Sequence, residues 1–138
     1  MQFHEHKNPA THEGLTPLHQ AAKVGDLHIC ILFMEEIEDK NPGTNAIGLT
    51  PLHCAAMLGH LNVCKLIIEK IRDKNPKSDN GVTPLHLAAS KGHLEVCKFI
   101  CQSVEDINPM DNYGSTPLSY AKDQGNSEIV SFFQDMCD

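Results

Sequence analysis

The side chains with the most chemical potential in this chain are its histidines and cysteines, several of them one helical turn apart. His60 and Cys64, His93 and Cys97, and Cys97 and Cys101 are each separated by four residues. On a helix that spacing places both members of a pair on one face, where two such groups can act as zinc ligands. A structural zinc site needs four converging ligands, and no complete set is visible in the sequence. A cysteine beside a histidine can also be an activated nucleophile, if the thiol is partly exposed and its base is oriented by a third group. No acid stands in that orienting role. The chain also contains neither a Gly-x-x-x-x-Gly-Lys-Ser/Thr phosphate loop nor a dinucleotide fingerprint.

The spacing of the remaining histidines explains the pattern differently. Thr-Pro-Leu-His occurs at 16–19, 50–53 and 83–86, and Thr-Pro-Leu-Ser follows at 116–119, giving steps of 34, 33 and 33 residues. His19, His53 and His86 are therefore one position of a repeated unit, with Ser119 as its fourth member. A fixed period of this length marks a repeat architecture. Each unit is too small to bury its own apolar face and must be stabilised by stacking on its neighbours. Cys30, Cys64 and Cys97 also share one position. Equivalent residues on successive layers are expected to stand too far apart for a disulfide, and to pack as small buried hydrophobes in a reducing, intracellular compartment.

The third unit shows how the elements form. Asn80-Gly81 is a turn signal, Thr83 has helix N-cap chemistry, and Pro84 suits the first helical position. Gly92 is expected to stop this first helix, as are Gly25, Gly59 and Gly125 in the other units. A second helix is expected from about 94 to 102, with an apolar face wide enough for burial between layers. Asn75-Pro76 then keeps the chain extended before the next turn. Neither helix is long enough to hold in water by itself, so the stack must hold them.

With Gly-x-Thr-Pro-Leu-His-x-Ala-Ala-x-x-Gly and His-Leu-x-Val-Cys-Lys on the page, the chain resembles the ankyrin repeats, from about residue 8 to 137. The resemblance implies an all-α helical solenoid of four helix-turn-helix repeats with β-turn or hairpin fingers. The expected units are about 8–40, 41–74, 75–107 and 108–138, in one domain spanning 1–138. Three departures carry expectations of their own. Ile37, Ile71 and Val104 stand where the family has a glycine, and are expected to pack down in a longer second helix. One extra residue falls within 42–47. In the last unit, Ser119 and Lys122 replace His and Ala, as suits a terminal cap that meets water.

The resemblance also implies a function: non-catalytic protein–protein interaction, with finger turns and first-helix ends forming a concave binding surface. The partner-binding residues carried over this way are Val24, Ile47, Leu49, Met57, Leu58, Val82, Lys91 and Tyr113. The apolar cluster in the second unit is expected to be the hot spot, because exposed apolar patches mark interaction sites. A fold-back of the longer second finger would instead bury Ile47 and Leu49. The alternative function is a spacer or regulatory arm of a larger scaffold or channel. No cofactor or metal is expected. His19, His53 and His86 are expected to hydrogen-bond within the turn network.

Charge narrows the partners further. With 11 Lys and Arg against 18 Asp and Glu, the net charge is −7, which disfavours a nucleic-acid backbone. No apolar run is long enough to span a membrane, and the first residues do not read as a secretion leader. Ile31 stands where the middle units have Lys65 and Lys98, so the early end is expected to be internal to a longer array or to self-associate, the alternative being a single exposed apolar residue of the ordinary surface kind. Asp106-Ile107-Asn108 resembles the Asp-Val-Asn that ankyrin repeats offer to a 2-oxoglutarate-dependent asparagine hydroxylase, which makes Asn108 a candidate modification site. Intact-mass analysis after exposure to such an enzyme is expected to show one added oxygen.

Overall fold

The computed structural model of the protein describes residues 15–36, 40, 42 and 47–137. Eight helices occur among them: α1 (Pro17–Val24), α2 (Leu27–Glu36), α3 (Pro51–Met57), α4 (Leu61–Lys70), α5 (Pro84–Lys91), α6 (Leu94–Ser103), α7 (Pro117–Gln124) and α8 (Ser127–Cys137). They form four helix-turn-helix pairs. The first helices stack in the order α1, α3, α5, α7, and the second helices form a parallel layer, α2, α4, α6, α8. No strand is assigned among the described residues.

Each first helix starts by the same local chemistry. Thr16, Thr50, Thr83 and Thr116 are extended N-caps, each accepting from the backbone N–H three residues on, with proline at the first helical position. The His or Ser at that third position returns a bond to the cap's own N–H, closing a capping box. Thr83→Ala is therefore expected to cost about 1 kcal/mol of stability, measurable as a shift in the urea midpoint. No loss at Thr83 would contradict the helix start.

Glycine ends α1, α5 and α7 in the left-handed conformation, at Gly25, Gly92 and Gly125. In α3 the helix stops one residue earlier: Leu58 leaves helical geometry at φ −99, ψ 2, and Gly59 takes the left-handed position after it. A second departure concerns the ends of the second helices. Ile71 and Val104 do not prolong them. Both are extended C-caps, with ψ of 159 and 156, and both pack against the core as half-buried residues. Burial, not helix propensity, holds them. In α2 and α4 the cationic ends of Lys40 and Lys74 supply what a terminal glycine would not, donating to Met34 O and to Ile68 O and Ile71 O. Ile37 and the inserted residue within 42–47 lie at or among positions outside the described residues, where 43–46 fall.

The core is layered. Leu18, Leu52 and Leu85 are fully buried, as are Ala22, Ala56 and Ala89 and the cysteines at 30, 64 and 97. At the fourth pair these positions become Leu118 (half-buried), Lys122 (exposed) and Val130 (half-buried). They therefore face the following pair, and of the three positions in the last pair only Lys122 is polar. The small alanines let neighbouring first helices approach closely, the packing that makes each pair depend on the next.

Candidate protein-binding face

Three histidines set the position of this face. His53 Nδ1 accepts the Thr50 N–H at 3.1 Å and lies 2.8 Å from the Thr50 hydroxyl. Its Nε2 therefore carries the proton, which it donates to Val82 O, 2.7 Å away in the next unit. His19 and His86 repeat the arrangement, reaching Leu49 O and Ser115 O at 2.8 Å each. Each ring ties a first helix to the strand-like approach of the next finger. Burial holds His53 down at a pKa of about 4 and lowers His86 as well. These rings are satisfied, neutral joints. Ser119, the fourth member of the position, turns its hydroxyl back to Thr116 O at 2.8 Å.

The zinc-spaced pairs are divided between two structural tasks. His60 Nε2 donates to Lys23 O at 2.8 Å, and His93 Nε2 to Met57 O at 3.0 Å. Asn126 does the same work in the last unit, reaching Ala89 O and Ser90 O. Their partners in the sequence pattern, Cys64 and Cys97, face the buried interface. Burial raises the Cys30 thiol to about 11 and Cys64 and Cys101 to about 12, and lifts Cys54 and Cys97 as well. Thiols so raised stay protonated at neutral pH and are poor nucleophiles. Cys30, Cys54, Cys64, Cys97 and Cys101 are all free.

The fingers are hydrogen-bonded turns. Ser78 N–H donates to Val82 O and Asp111 N–H to Ser115 O, each at 2.9 Å. One backbone bond links successive fingers: Asp79 N–H to Ile47 O, and Asn112 N–H to Asn80 O. The fourth finger has an extra clamp. The Asp111 carboxylate accepts from Tyr113 N–H, Ser115 N–H and the Tyr120 hydroxyl, the last at 2.6 Å, and the Tyr120 ring packs edge-on to His86. Burial and this carboxylate raise Tyr120 to about 12. Sequence reasoning missed Tyr120; its signal was an aromatic at the position held by Gln20, Cys54 and Leu87 in the other units.

On this frame the expected partner-binding residues separate into two groups. Val24, Ile47, Leu58, Lys91 and Tyr113 are exposed, Val24 by 73% and Tyr113 by 85%. Leu49, Met57 and Val82 are half-buried. The backbone carbonyls of Leu49 and Val82 receive the histidine joints, which draws their residues toward the stack. Ile47 is exposed at 47%, and residues 43–46 of the second finger, on which the fold-back alternative turns, lie outside the described residues. Val24, Leu58, Lys91 and Gln124 form one row by repeat position, graded from apolar to polar along the array. Met110, exposed by 57% on the approach to the fourth finger, was not anticipated; it stands where the third unit has Lys77. Asn108 is exposed, its N–H held by Asp106 Oδ1. Among the described residues, no group of three or more His, Cys, Asp or Glu converges, and no helix is long and apolar enough to cross a membrane.

A family model described as ankyrin repeats (3 copies) matches residues 2–78 and 71–138. No curated protein sequence matches the chain.

Proposed function

This chain belongs to the ankyrin-repeat family, and on that premise we propose that it is a non-catalytic protein-binding module. Members of the family are generally protein–protein interaction modules. The binding surface is the concave face built from finger turns and first-helix ends, with Val24, Ile47, Leu58 and Tyr113 as apolar contacts and Lys91 as a flanking charge. Leu49, Met57 and Val82 support these residues from half-buried positions and add contact area at the base of the fingers.

The observation that carries this reading is the exposure of large apolar side chains at shared repeat positions, Val24 with Leu58 and Ile47 with Tyr113. Exposed apolar residues clustered within a polar surround mark interaction sites more often than they mark plain surface. Aromatic residues and methionine are also enriched at interface cores. The joints behind the face are buried and fully hydrogen-bonded, so the contact residues are held in place before a partner arrives. Pre-organisation of this kind lowers the ordering cost of association. Cys30, Cys64 and Cys97, buried at one repeat position in successive layers, suit a reducing, intracellular setting.

Affinity capture from soluble lysate tests the reading, comparing the protein with an Ile47→Glu/Leu58→Glu double variant. Both side chains are exposed, so the variant is expected to keep its helical circular dichroism. A specific partner held by the parent is expected to be lost by the folded variant. Equal capture by both would move the site elsewhere, and no specific partner would favour the spacer role.

A further inference from the structure

The fourth finger is held by a closed set of contacts that the third finger lacks. The Asp111 carboxylate accepts from Tyr113 N–H at 2.9 Å and Ser115 N–H at 2.8 Å through one oxygen, and from the Tyr120 hydroxyl at 2.6 Å through the other. Asp111 N–H donates in turn to Ser115 O, which also accepts from His86 Nε2 at 2.8 Å. The Tyr120 ring completes the circuit by packing edge-on against His86, with 4.7 Å between centroids. In the third unit the corresponding residues are Ser78 and Leu87. Ser78 Oγ accepts from Val82 N–H at 3.2 Å, and the leucine side chain has no polar group to hold Ser78. A carboxylate accepting from N–H and O–H groups makes shorter and stronger bonds than a hydroxyl does, so of these two fingers the fourth is the more firmly fixed.

We propose that Tyr120 is a positioning residue of the binding face: through Asp111 it fixes the fourth finger, so that Tyr113 is presented to a partner from one place. This rests on the binding face proposed above and says how its fourth unit contributes. The Tyr113 ring is 85% exposed, so neighbouring side chains hold little of it. What fixes it is its backbone, whose N–H is one of the three groups gathered on Asp111. With the backbone fixed, two side-chain torsions are left to be ordered when a partner binds. The further ordering cost of a mobile finger is avoided. Tyr113 stands two units from Ile47, roughly 20 Å at the usual spacing of packed helices, a reach that one interface of standard size covers. The two tyrosines thus have separate tasks, one holding the finger from behind and the other making the contact at its tip.

Random peptides displayed on phage and selected on the parent protein are the probe, and those whose binding is lost in Ile47→Glu/Leu58→Glu are taken forward. Tyr120→Phe keeps the ring on His86 and removes only the hydroxyl. It is expected to weaken these peptides roughly three- to tenfold, with unchanged circular dichroism. Tyr113→Ala is expected to weaken them at least as much, and in its background Tyr120→Phe is expected to add nothing, the coupling that a double-mutant cycle reads. Amide hydrogen exchange is the second readout. Protection at Tyr113 and Ser115 is expected to fall in Tyr120→Phe while Ser78 and Val82 in the third finger keep theirs, whereas a general loss of stability would lower all four together. Unchanged peptide affinity in Tyr120→Phe, or a loss that persists in full with Tyr113→Ala, overturns the proposal and leaves the binding face standing. Unchanged exchange at Tyr113 and Ser115 overturns it as well. If no selected peptide depends on Ile47 and Leu58, the binding face itself is overturned, and this proposal with it.

Discussion

Acidification from neutral pH to about 4 is expected to remove about 3 kcal/mol of folding stability through His53 alone. The ring is buried between α3 and the third finger, and burial penalises its charged form. The bond to Val82 O and the Asp73 carboxylate oppose the shift, while the neighbouring rings of His19 and His86 add to it. The hydrogen bonds point the same way as burial: Nδ1 already accepts the Thr50 N–H, so a proton on that nitrogen would face a donor. In the unfolded chain the ring titrates near 6.5, and in the native protein near 4. Between those values the unfolded state binds the proton and the native state does not. The contribution is therefore complete above 6.5, falls as the pH is lowered, and is exhausted once the folded ring also protonates.

His86 is shifted downward too, chiefly by burial, so it adds loss in the same direction. Asp111 works in a separate window. Desolvation opposes its ionisation, but hydrogen bonds from Tyr120, Ser115 and Tyr113 hold it below the usual 3.8. Its contribution is present above that value and lost as the pH falls through its lower folded pKa. Urea denaturation at a series of pH values separates the two: Asp111→Asn should abolish the loss below pH 4 and, by removing a carboxylate that favours protonated His86, deepen rather than relieve the loss above it. A urea midpoint that stays flat from neutrality to pH 4 would contradict the buried neutral histidine joints.

The second large effect is expected at Gly59, where substitution by alanine should cost about 3 kcal/mol. The residue sits at φ +78, and an added Cβ would lie 2.6 Å from His93 Nδ1. Left-handed strain accounts for about 1 kcal/mol. The remainder comes from displacing the His93 ring from Met57 O and from disturbed packing between the second and third units. Gly125→Ala is the internal comparison. It has the same backbone conformation, but no atom lies within 4 Å of the added Cβ, so only the strain of about 1 kcal/mol is expected. Urea midpoints of the two variants decide the matter. Equal losses would mean that the histidine joint behind Gly59 contributes little.

The sequence by itself determined what is local. Thr-Pro-Leu-His specifies a cap, a first helical turn and a returning hydrogen bond within four residues, so the four first-helix starts were legible without a structure. The glycine stops were legible for the same reason, since left-handed geometry at a helix end depends mainly on one residue. Periodicity then implied the stack, and the stack implied buried cysteines.

Tertiary structure alone decided what depends on a neighbour a full unit away. Met57 and Val82 occupy surface positions in the repeat pattern, yet they are half-buried where adjacent units close over them. Ile71 and Val104 read as helix continuations, but the core draws them down in extended form. His60 and His93 showed zinc-like spacing, while their bond partners lie 37 and 36 residues away in sequence. The contrast between Ile29 and Val63 is the clearest case: similar side chains at the same repeat position differ in exposure, because burial is set by what stacks against a residue and not by its own type.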